Sequence, residues 1–385
     1  MTEETKTRKV RSVIPASPVD SPTIAALKLI AGESKELPLM STKLQPIRYV
    51  PTIFTSFNRA IVLGGAPLRA TYLIHGPSGS GKSAFALGLV NSFTRLGHAA
   101  AYIDAEHAVS KRWFQELGAE MNAILFEQPD TFEEAVALID KWIGNFKKAK
   151  ADGKLEPTKG FIVVIDTIHK LVPKTEMEKL LAANPNLSQT QAEKKINDNI
   201  GKGWGRYRAN LISVWIDKMT PIVGKNDIAF VAIAHERENP DKDDWGADEY
   251  KVKGGSSLIY ESMVRVRITA GSPITASAGG AKKMIVGTTG NVLVAKNKVG
   301  YPNESGQFFL SNGKGSAPIG FDLEREAFVE GVRREIITKS GAWYYLPDGS
   351  KWQGDEQTIA HLREDADSYQ SLYDSLIIES DYECV

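Results

Sequence analysis

A single cysteine, Cys384, occurs in the 385 residues of this chain. No intrachain disulfide and no cysteine-held metal cluster can therefore form, which argues against an oxidising compartment. Long apolar runs are missing too: none approaches the roughly 20 residues that span a bilayer, and the N-terminal stretch is polar and charged, without the apolar core of a secretory signal. The expectation is a soluble protein of the cytoplasm, whether of a bacterial cell or of a host cell. An excess of either charge is absent as well, with 47 Lys and Arg against 47 Asp and Glu. The basic surplus of many DNA-binding domains is thus lacking, so any nucleic-acid contact has to be local. The balance is uneven along the chain, because residues 355–383 carry nine acids against one base, Arg363. Such a polyanionic tail can shield a basic surface elsewhere.

What is present suits one large core with smaller appendages. The first fifteen residues alternate in charge without an apolar period and read as a flexible arm, followed by a short helix at 23–30. From Tyr72 onward, short apolar runs alternate with amphipathic stretches, the pattern of an α/β protein with a mostly parallel twisted sheet flanked by helices. Strands are expected at 72–74, 99–103, 124–126, 161–165 and 228–234, each rich in apolar residues without polar alternation and hence buried on both faces. Helices are expected at 81–96, 110–117 and 132–146, the last opened by a Thr131/Glu134 capping box, with 147–159 as a solvated connection. Two long polar segments, 184–203 and 236–255, interrupt the core, and loops of that length are usually functional or disordered. Aromatic runs on either side of Pro347, Asp348 and Gly349 read as a hairpin, with two short helices after it.

The strongest chemical signal is Gly76, Pro77, Ser78, Gly79, Ser80, Gly81, Lys82, Ser83, directly after an apolar strand and before a helical pattern. This is GxxxxGK[ST] in the context it requires. Glycines let backbone N–H groups converge on phosphate oxygens at a helix N-terminus, where the helix dipole also favours anions. The cradle extends into the helix at Ala84. Lys82 would reach the β and γ phosphates and Ser83 would ligate Mg²⁺, so ATP and magnesium are implied. The strand 161–165 ends in Asp166, placed where a carboxylate holds the hydrated Mg²⁺ beside such a loop. Past the second strand stand Asp104, Glu106 and His107, at the strand edge where nucleotides bind in open α/β sheets. Either carboxylate could polarise an attacking water, and either could merely cap the next helix. Spacing alone does not choose between these readings.

Four segments, YIDAEHAVSKRWFQELG, IDTIHKLVPKTEME, VAKNKVG and KSGAWYYLPDGSKWQG, resemble those of the RecA family and occur in its order. The resemblance covers roughly residues 50–376 and implies a RecA-like P-loop ATPase core with a small α+β C-terminal domain. By this resemblance Glu106 matches the glutamate that orients the water attacking the γ-phosphate. Trp113 falls where an aromatic, usually tyrosine, stacks on adenine. His235 stands where the family has a glutamine that senses the γ-phosphate and couples it to a DNA-binding loop. A neutral imidazole can serve similarly, and because histidine titrates near neutrality the coupling becomes pH-sensitive. Lys296 and Lys298 alternate on one strand and match lysines that reach the nucleotide of the neighbouring subunit. Paired cations there make hydrolysis depend on assembly, a task otherwise filled by an arginine finger.

The resemblance also implies two DNA-binding loops, at about 180–206 and 236–255. The first brings Lys202, Trp204, Arg206 and Arg208, with Lys194 and Lys195, a mixture of cations and one aromatic that suits single-stranded DNA. The second brings Arg237, Trp245, Tyr250, Lys251, Lys253, Gly254 and Gly255, yet 236–255 holds seven acids against four bases. Backbone amides are therefore expected to carry its phosphate contacts. Tyr260 lies where the family has an aromatic at the subunit interface, and Ile259 replaces a lysine beside it. The expected division is an N-terminal arm and oligomerisation segment (1–48), the ATPase core (49–315) and a C-terminal domain with an acidic tail (316–385). The expected activity is a DNA-stimulated ATPase that polymerises on single-stranded DNA and exchanges strands with homologous duplex DNA. Expected partners are DNA, further copies of the chain, and single-strand-binding and loader proteins. A ring-forming helicase or regulatory ATPase shares the same motifs, and a small-molecule kinase shares the P-loop. The aromatic C-terminal segment argues against the former, and the long loops and Glu106 against the latter.

Overall fold

Apolar runs without polar alternation become strands with both faces covered, and here they build one large sheet. The computed structural model of the chain describes residues 30, 47–61, 64–184, 202–239, 250–277, 283–377 and 383–384, and the backbone alone at 202–206, 256, 277 and 383–384. The expected N-terminal arm and, but for Ile30, the expected helix at 23–30 lie outside the described residues. Two short strands, β1 (Arg48–Val50) and β2 (Ala66–Pro67), pair with each other on either side of helix α1 (Thr55–Ala60). The parallel strands follow: β3 (Ala70–Gly76), β4 (Ala99–Asp104), β5 (Ile124–Glu127), β6 (Phe161–Asp166) and β7 (Ile228–Glu238). They lie side by side in the order β3-β7-β6-β4-β5. Every residue of β3 and β6 is buried, whereas β5 is an edge strand with one neighbour, and its Leu125 and Phe126 are exposed. Burial on both faces therefore fails for β5.

The sheet continues beyond β3 through strands of another kind. Segment β8 (Tyr250–Val252) hooks back antiparallel onto β7, while β9 (Val264–Ser277), β10 (Lys283–Asn297), β11 (Glu304–Ser311) and β12 (Gly320–Phe321) extend the sheet in the order β3-β9-β10-β11-β12. Only β9 runs parallel to β3, and the rest of the extension is antiparallel. Buried and open positions interleave along β10 and β11, so these strands lack the unbroken apolar runs of the central ones. The polar segment 236–255 is correspondingly framed by strand pairing, with Glu236 opposite Val252, Arg237 opposite Lys251 and Glu238 opposite Tyr250.

Helices cover both faces. On one, α2 (Lys82–Arg95) buries Phe85, Leu89 and Phe93, and Phe85 stacks on Phe54 at 4.9 Å between centroids. Gly88 is what lets that helix approach, because a Cβ there would meet the Phe54 ring at 2.2 Å. Helix α3 (Lys111–Glu116) follows β4, with the Ser110 hydroxyl accepting from the Trp113 N–H at its start. On the other face, α4 (Phe132–Ala151) and α6 (Lys202–Lys225) cover the sheet, with Ile139, Ile143, Ile212, Trp215 and Met219 in that core, while α5 (Lys174–Ala183) packs Met177 on Val172 in a small cluster of its own. Thr131 caps α4 by accepting from the Glu134 N–H at 3.3 Å, and the helix runs beyond the expected end at 146 to Ala151. What continues it is burial of Phe146 and an ion pair from Lys150 to Asp227 at 2.7 Å. The short helix α7 (Ser256–Glu261) precedes β9.

The C-terminal part has its own core. Helices α8 (Leu323–Arg333), α9 (Asp355–Glu364) and α10 (Ala366–Leu376) pack with the three-stranded sheet β13 (Thr338–Ser340), β14 (Trp343–Tyr345) and β15 (Lys351–Gln353) around Phe328, Tyr344, Ile359 and Leu372. A buried carboxylate joins this part to the first helix: Glu326 accepts hydrogen bonds from the backbone N–H groups of Thr55 and Ser56 and from the Thr55 hydroxyl. The last described strand, β16 (Glu383–Cys384), pairs parallel with β1. Among the described residues no helix is long and apolar enough to cross a membrane.

Candidate active site

Strand β3 ends at Gly76 with φ 156°, and a Cβ there would stand 1.9 Å from the Ile268 carbonyl oxygen. The chain then turns through Gly79 and Gly81, at φ 72° and 91°, into the first turn of α2. Left-handed backbone of this kind is open to glycine at little cost. A Cβ at Gly79 would meet nothing within 4 Å, so the space beside the loop there is open, and the buried Ser80 hydroxyl oxygen has no hydrogen-bond partner among the described residues. Lys82 is buried and folds back to donate to the Pro77 carbonyl at 2.6 Å. Burial pushes its ammonium down from the ordinary lysine range, against the pull of the Asp166, Glu106 and Glu236 carboxylates.

Next to this loop, β6 delivers Asp166 at its end. The Tyr102 hydroxyl donates to the Asp166 Oδ2 at 2.6 Å, and Ser83 also hydrogen-bonds this carboxylate. Burial nevertheless dominates and pushes the Asp166 carboxyl up. Ser83 and Asp166 thus meet although 83 residues separate them in the chain, as two oxygen donors suited to a hard cation. The structure fits magnesium and a polyphosphate here on three grounds: the open glycine cradle, the unpartnered Ser80 hydroxyl and this oxygen pair.

The two carboxylates after β4 have separate environments. Asp104 is buried and accepts from the backbone N–H groups of Glu106 and Val109 and from the Gln128 amide, so it organises its own turn. Glu106 instead reaches across the strand ends. Its Oε1 accepts from the Thr167 hydroxyl at 2.8 Å and lies 2.9 Å from His235 Nε2, at the end of β7. The His235 contact, followed by the Thr167 hydrogen bond, holds the Glu106 carboxyl down at about 2 despite partial burial. It is therefore an anion at neutral pH, as a water-polarising group has to be.

Other expected residues sit as follows. The Trp113 ring is 38% exposed on α3. Lys296 donates to the carbonyls of Ile259 and Tyr260, at 3.1 and 2.7 Å, at the C-terminal end of α7. Lys298 lies exposed just past β10, close enough for its charge to lower the affinity of Lys296 for a proton, and the Tyr260 ring beside them is 70% exposed. Arg237 is exposed near the end of β7, and Lys251 and Lys253 lie on the returning segment, the Lys253 N–H donating to the His235 carbonyl at 2.9 Å. Gly254 and Gly255 have φ 104° and 101°. Lys194, Lys195 and Trp245 lie outside the described residues, as do the side chains of Lys202, Trp204 and Arg206. Arg208 is not at the surface where a DNA contact requires it. It is buried in a two-pronged pair with Glu176, Nε to Oε2 at 2.9 Å and Nη2 to Oε1 at 2.8 Å. Releasing it would strand a buried carboxylate.

Sequence reasoning missed Tyr102, Thr167 and His169. Tyr102 and Thr167 carry no motif signal, and only the parallel pairing of β4 with β6 brings them beside Asp166 and Glu106. A second omission is the cluster beneath the β7–β8 hairpin, where Glu236 takes a hydrogen bond from His75 Nδ1 at 2.6 Å and two from Arg267, whose guanidinium also covers the Tyr250 ring.

The family model described as the RecA N-terminal domain matches residues 23–317. Among curated proteins, the chain is 30% identical to the RecA protein of Salinispora tropica over 318 residues, covering 83% of this chain and 79% of that protein. It is 30% identical to that of Kineococcus radiotolerans over 344 residues, covering 89% and 86%. Against the RecA protein of Thermotoga neapolitana it is 27% identical over 328 residues, covering 84% and 81%.

Proposed function

The chain belongs to the RecA family, a RecA-type recombinase, and from that premise we propose that it hydrolyses ATP when assembled on single-stranded DNA and uses the cycle to pair that strand with homologous duplex DNA. The observation that carries the ATPase reading is the placement of an ionised Glu106, held by Thr167 and His235, beside the glycine loop and the Ser83–Asp166 pair. In this reading the backbone of residues 76–81 cradles the phosphates, Lys82 exchanges its contact with the Pro77 carbonyl for a phosphate oxygen, and Ser83 and Asp166 hold the magnesium. Magnesium supplies charge neutralisation on the phosphate oxygens. Glu106 orients the attacking water through Oε2, the oxygen that Thr167 and His235 leave free, and Trp113 offers its exposed face to the adenine.

His235 gives the site its path to DNA. Its ring touches Glu106 on the nucleotide side, and its carbonyl accepts from Lys253 on the segment that carries Arg237, Lys251, Gly254 and Gly255. A γ-phosphate that competes with Glu106 for His235 Nε2 shifts His235 and therefore that segment, and by reciprocity DNA on the segment changes nucleotide affinity. Lys296 and Lys298 reach a neighbouring protomer's nucleotide from the exposed patch around Tyr260, so ATP favours the filament by contacts that exist only in the filament. Lys202, Trp204 and Arg206 complete the strand contact; Arg208 does not take part. Loading and single-strand-binding proteins are the partners such a filament calls for.

Steady-state ATP turnover with and without single-stranded DNA tests this for the wild type, Lys82→Ala, Glu106→Gln and Lys296→Ala. Strong stimulation by DNA that all three substitutions abolish is the expected result. Turnover that ignores both DNA and Lys296→Ala would overturn the assembly-dependent reading.

A further inference from the structure

His169 has no task in this account. It lies on the single turn of 3-10 helix Ile168–Lys170 after β6, with both ring nitrogens buried and without a hydrogen-bond partner among the described residues. An unpaired buried polar group costs about 1–3 kcal/mol, so such a ring calls for a partner that comes from outside. It stands edge-on to His235, with centroids 5.0 Å apart and planes at 80°. Glu106 lies against His235 Nε2 at 2.9 Å. One donor atom from each of Glu106, His169 and His235 lies within 4.8 Å of the others. We infer that these three side chains form a binding site for a borderline divalent transition-metal ion of the zinc class, and that filling it silences the carboxylate that orients water.

The donor set decides the class of ion. Two imidazoles and one carboxylate suit Zn²⁺, Co²⁺ or Ni²⁺, whereas Mg²⁺ prefers oxygen donors and keeps its water, so magnesium at Ser83 and Asp166 does not compete. Ligand atoms held at about 2.0–2.1 Å from a tetrahedral ion stand roughly 3.4 Å apart. Binding therefore draws the three donors together from separations of up to 4.8 Å. The site is also prepared in protonation. Burial, helped by the nearby His235 and Lys253, holds His169 down to about 3, so its lone pair is available at neutral pH. The charges of Lys170 and Lys253 act against a dication, while that of Glu106 acts for it, which makes the site reversible rather than structural.

The silencing half of the inference rests on the reading of Glu106 as the water-orienting group; the binding half does not. Titration of the full chain, free of any affinity tag, with Co²⁺ in the absence of nucleotide and DNA reads binding directly through the visible absorption of imidazole-bound cobalt. One equivalent should bind, Zn²⁺ should displace it, and His169→Ala should weaken it by about tenfold or more, as loss of a ligand does. Glu106→Gln should weaken it likewise, and His361→Ala should leave it unchanged. Wild-type protein without the band, or His169→Ala protein that binds cobalt like the wild type, overturns the site. Zn²⁺ added to the magnesium-supported ATPase should then inhibit the wild type, reversibly on chelation, and spare His169→Ala. A His169-dependent band without such inhibition keeps the site and overturns its role. A chain without ATPase activity that still shows the band would sink the proposed function instead.

Discussion

Glu106 and Glu326 show how the same side chain is set in opposite directions by its surroundings. Glu106 is held down at about 2 by His235 and Thr167, so its proton is bound more weakly in the fold than in the unfolded chain. Its contribution to stability is present above the ordinary 4.5 and is lost as pH falls from there towards about 2. Glu106→Gln should lower ATP turnover by about 10²–10⁴-fold while nucleotide binding, followed with a fluorescent ATP analogue, persists. Glu326 runs the other way, since burial pushes it up to about 7 in spite of the hydrogen bonds from Thr55 and Ser56. Its contribution is complete below 4.5 and disappears as pH rises through about 7. Thermal unfolding across that window should therefore show the wild type losing stability relative to Glu326→Gln as pH rises. Parallel curves would remove Glu326 as the cause. Neither behaviour was legible in the sequence, because nothing in the spacing of Glu326 reports that α1 begins against it.

At the scale of elements, the parallel strands and the glycine loop were legible because unbroken apolar runs and GxxxxGK[ST] each imply one local geometry. Of the antiparallel extension only the end of β10 around Lys296 was legible, because β10 and β11 otherwise interleave buried and open positions that read as irregular chain until a neighbouring strand covers one side. Arg208 makes the same point in a helix: a cation in a polar stretch looks like a surface contact until Glu176 on α5 is brought against it. Arg208→Ala should cost about 3–5 kcal/mol by leaving Glu176 buried and unpaired, visible as a lower denaturant midpoint. A change below about 1 kcal/mol would mean the pair is solvated. At the end of β3, Gly76→Ala should abolish ATP binding and cost about 1–3 kcal/mol, since a Cβ cannot share space with the Ile268 carbonyl.

For the whole molecule, the acidic C-terminal stretch divides into two parts with different duties. Asp355 accepts from the Tyr344 hydroxyl, Glu356 pairs with Arg325, and Asp365 caps α10, whose Leu372 and Leu376 are core. A truncation at 365 therefore removes part of a hydrophobic core and cannot test self-inhibition by the tail. Removal of 378–385 alone takes away three acids and leaves that core intact. If the tail competes with DNA phosphates, this shorter deletion should strengthen duplex binding and steepen its salt dependence. Unchanged affinity at every salt concentration would remove self-inhibition and leave the tail its solvation and the pairing of β16 with β1.

The sequence by itself determined the parts whose chemistry is local in the chain: the phosphate cradle, the strand-terminal aspartate, the buried parallel strands and the family. A turn or a strand is specified by neighbours a few residues away, so its signal survives in one dimension. Tertiary structure alone decided that Asp104 is spent on its own turn, that Arg208 is buried, and that His169 stands beside His235. The Arg208 pair depends on α5 meeting α6, and the pair of histidines on strands β6 and β7 ending side by side. That adjacency is set by the packing of two hydrophobic cores on opposite faces of the sheet, a property of the folded whole.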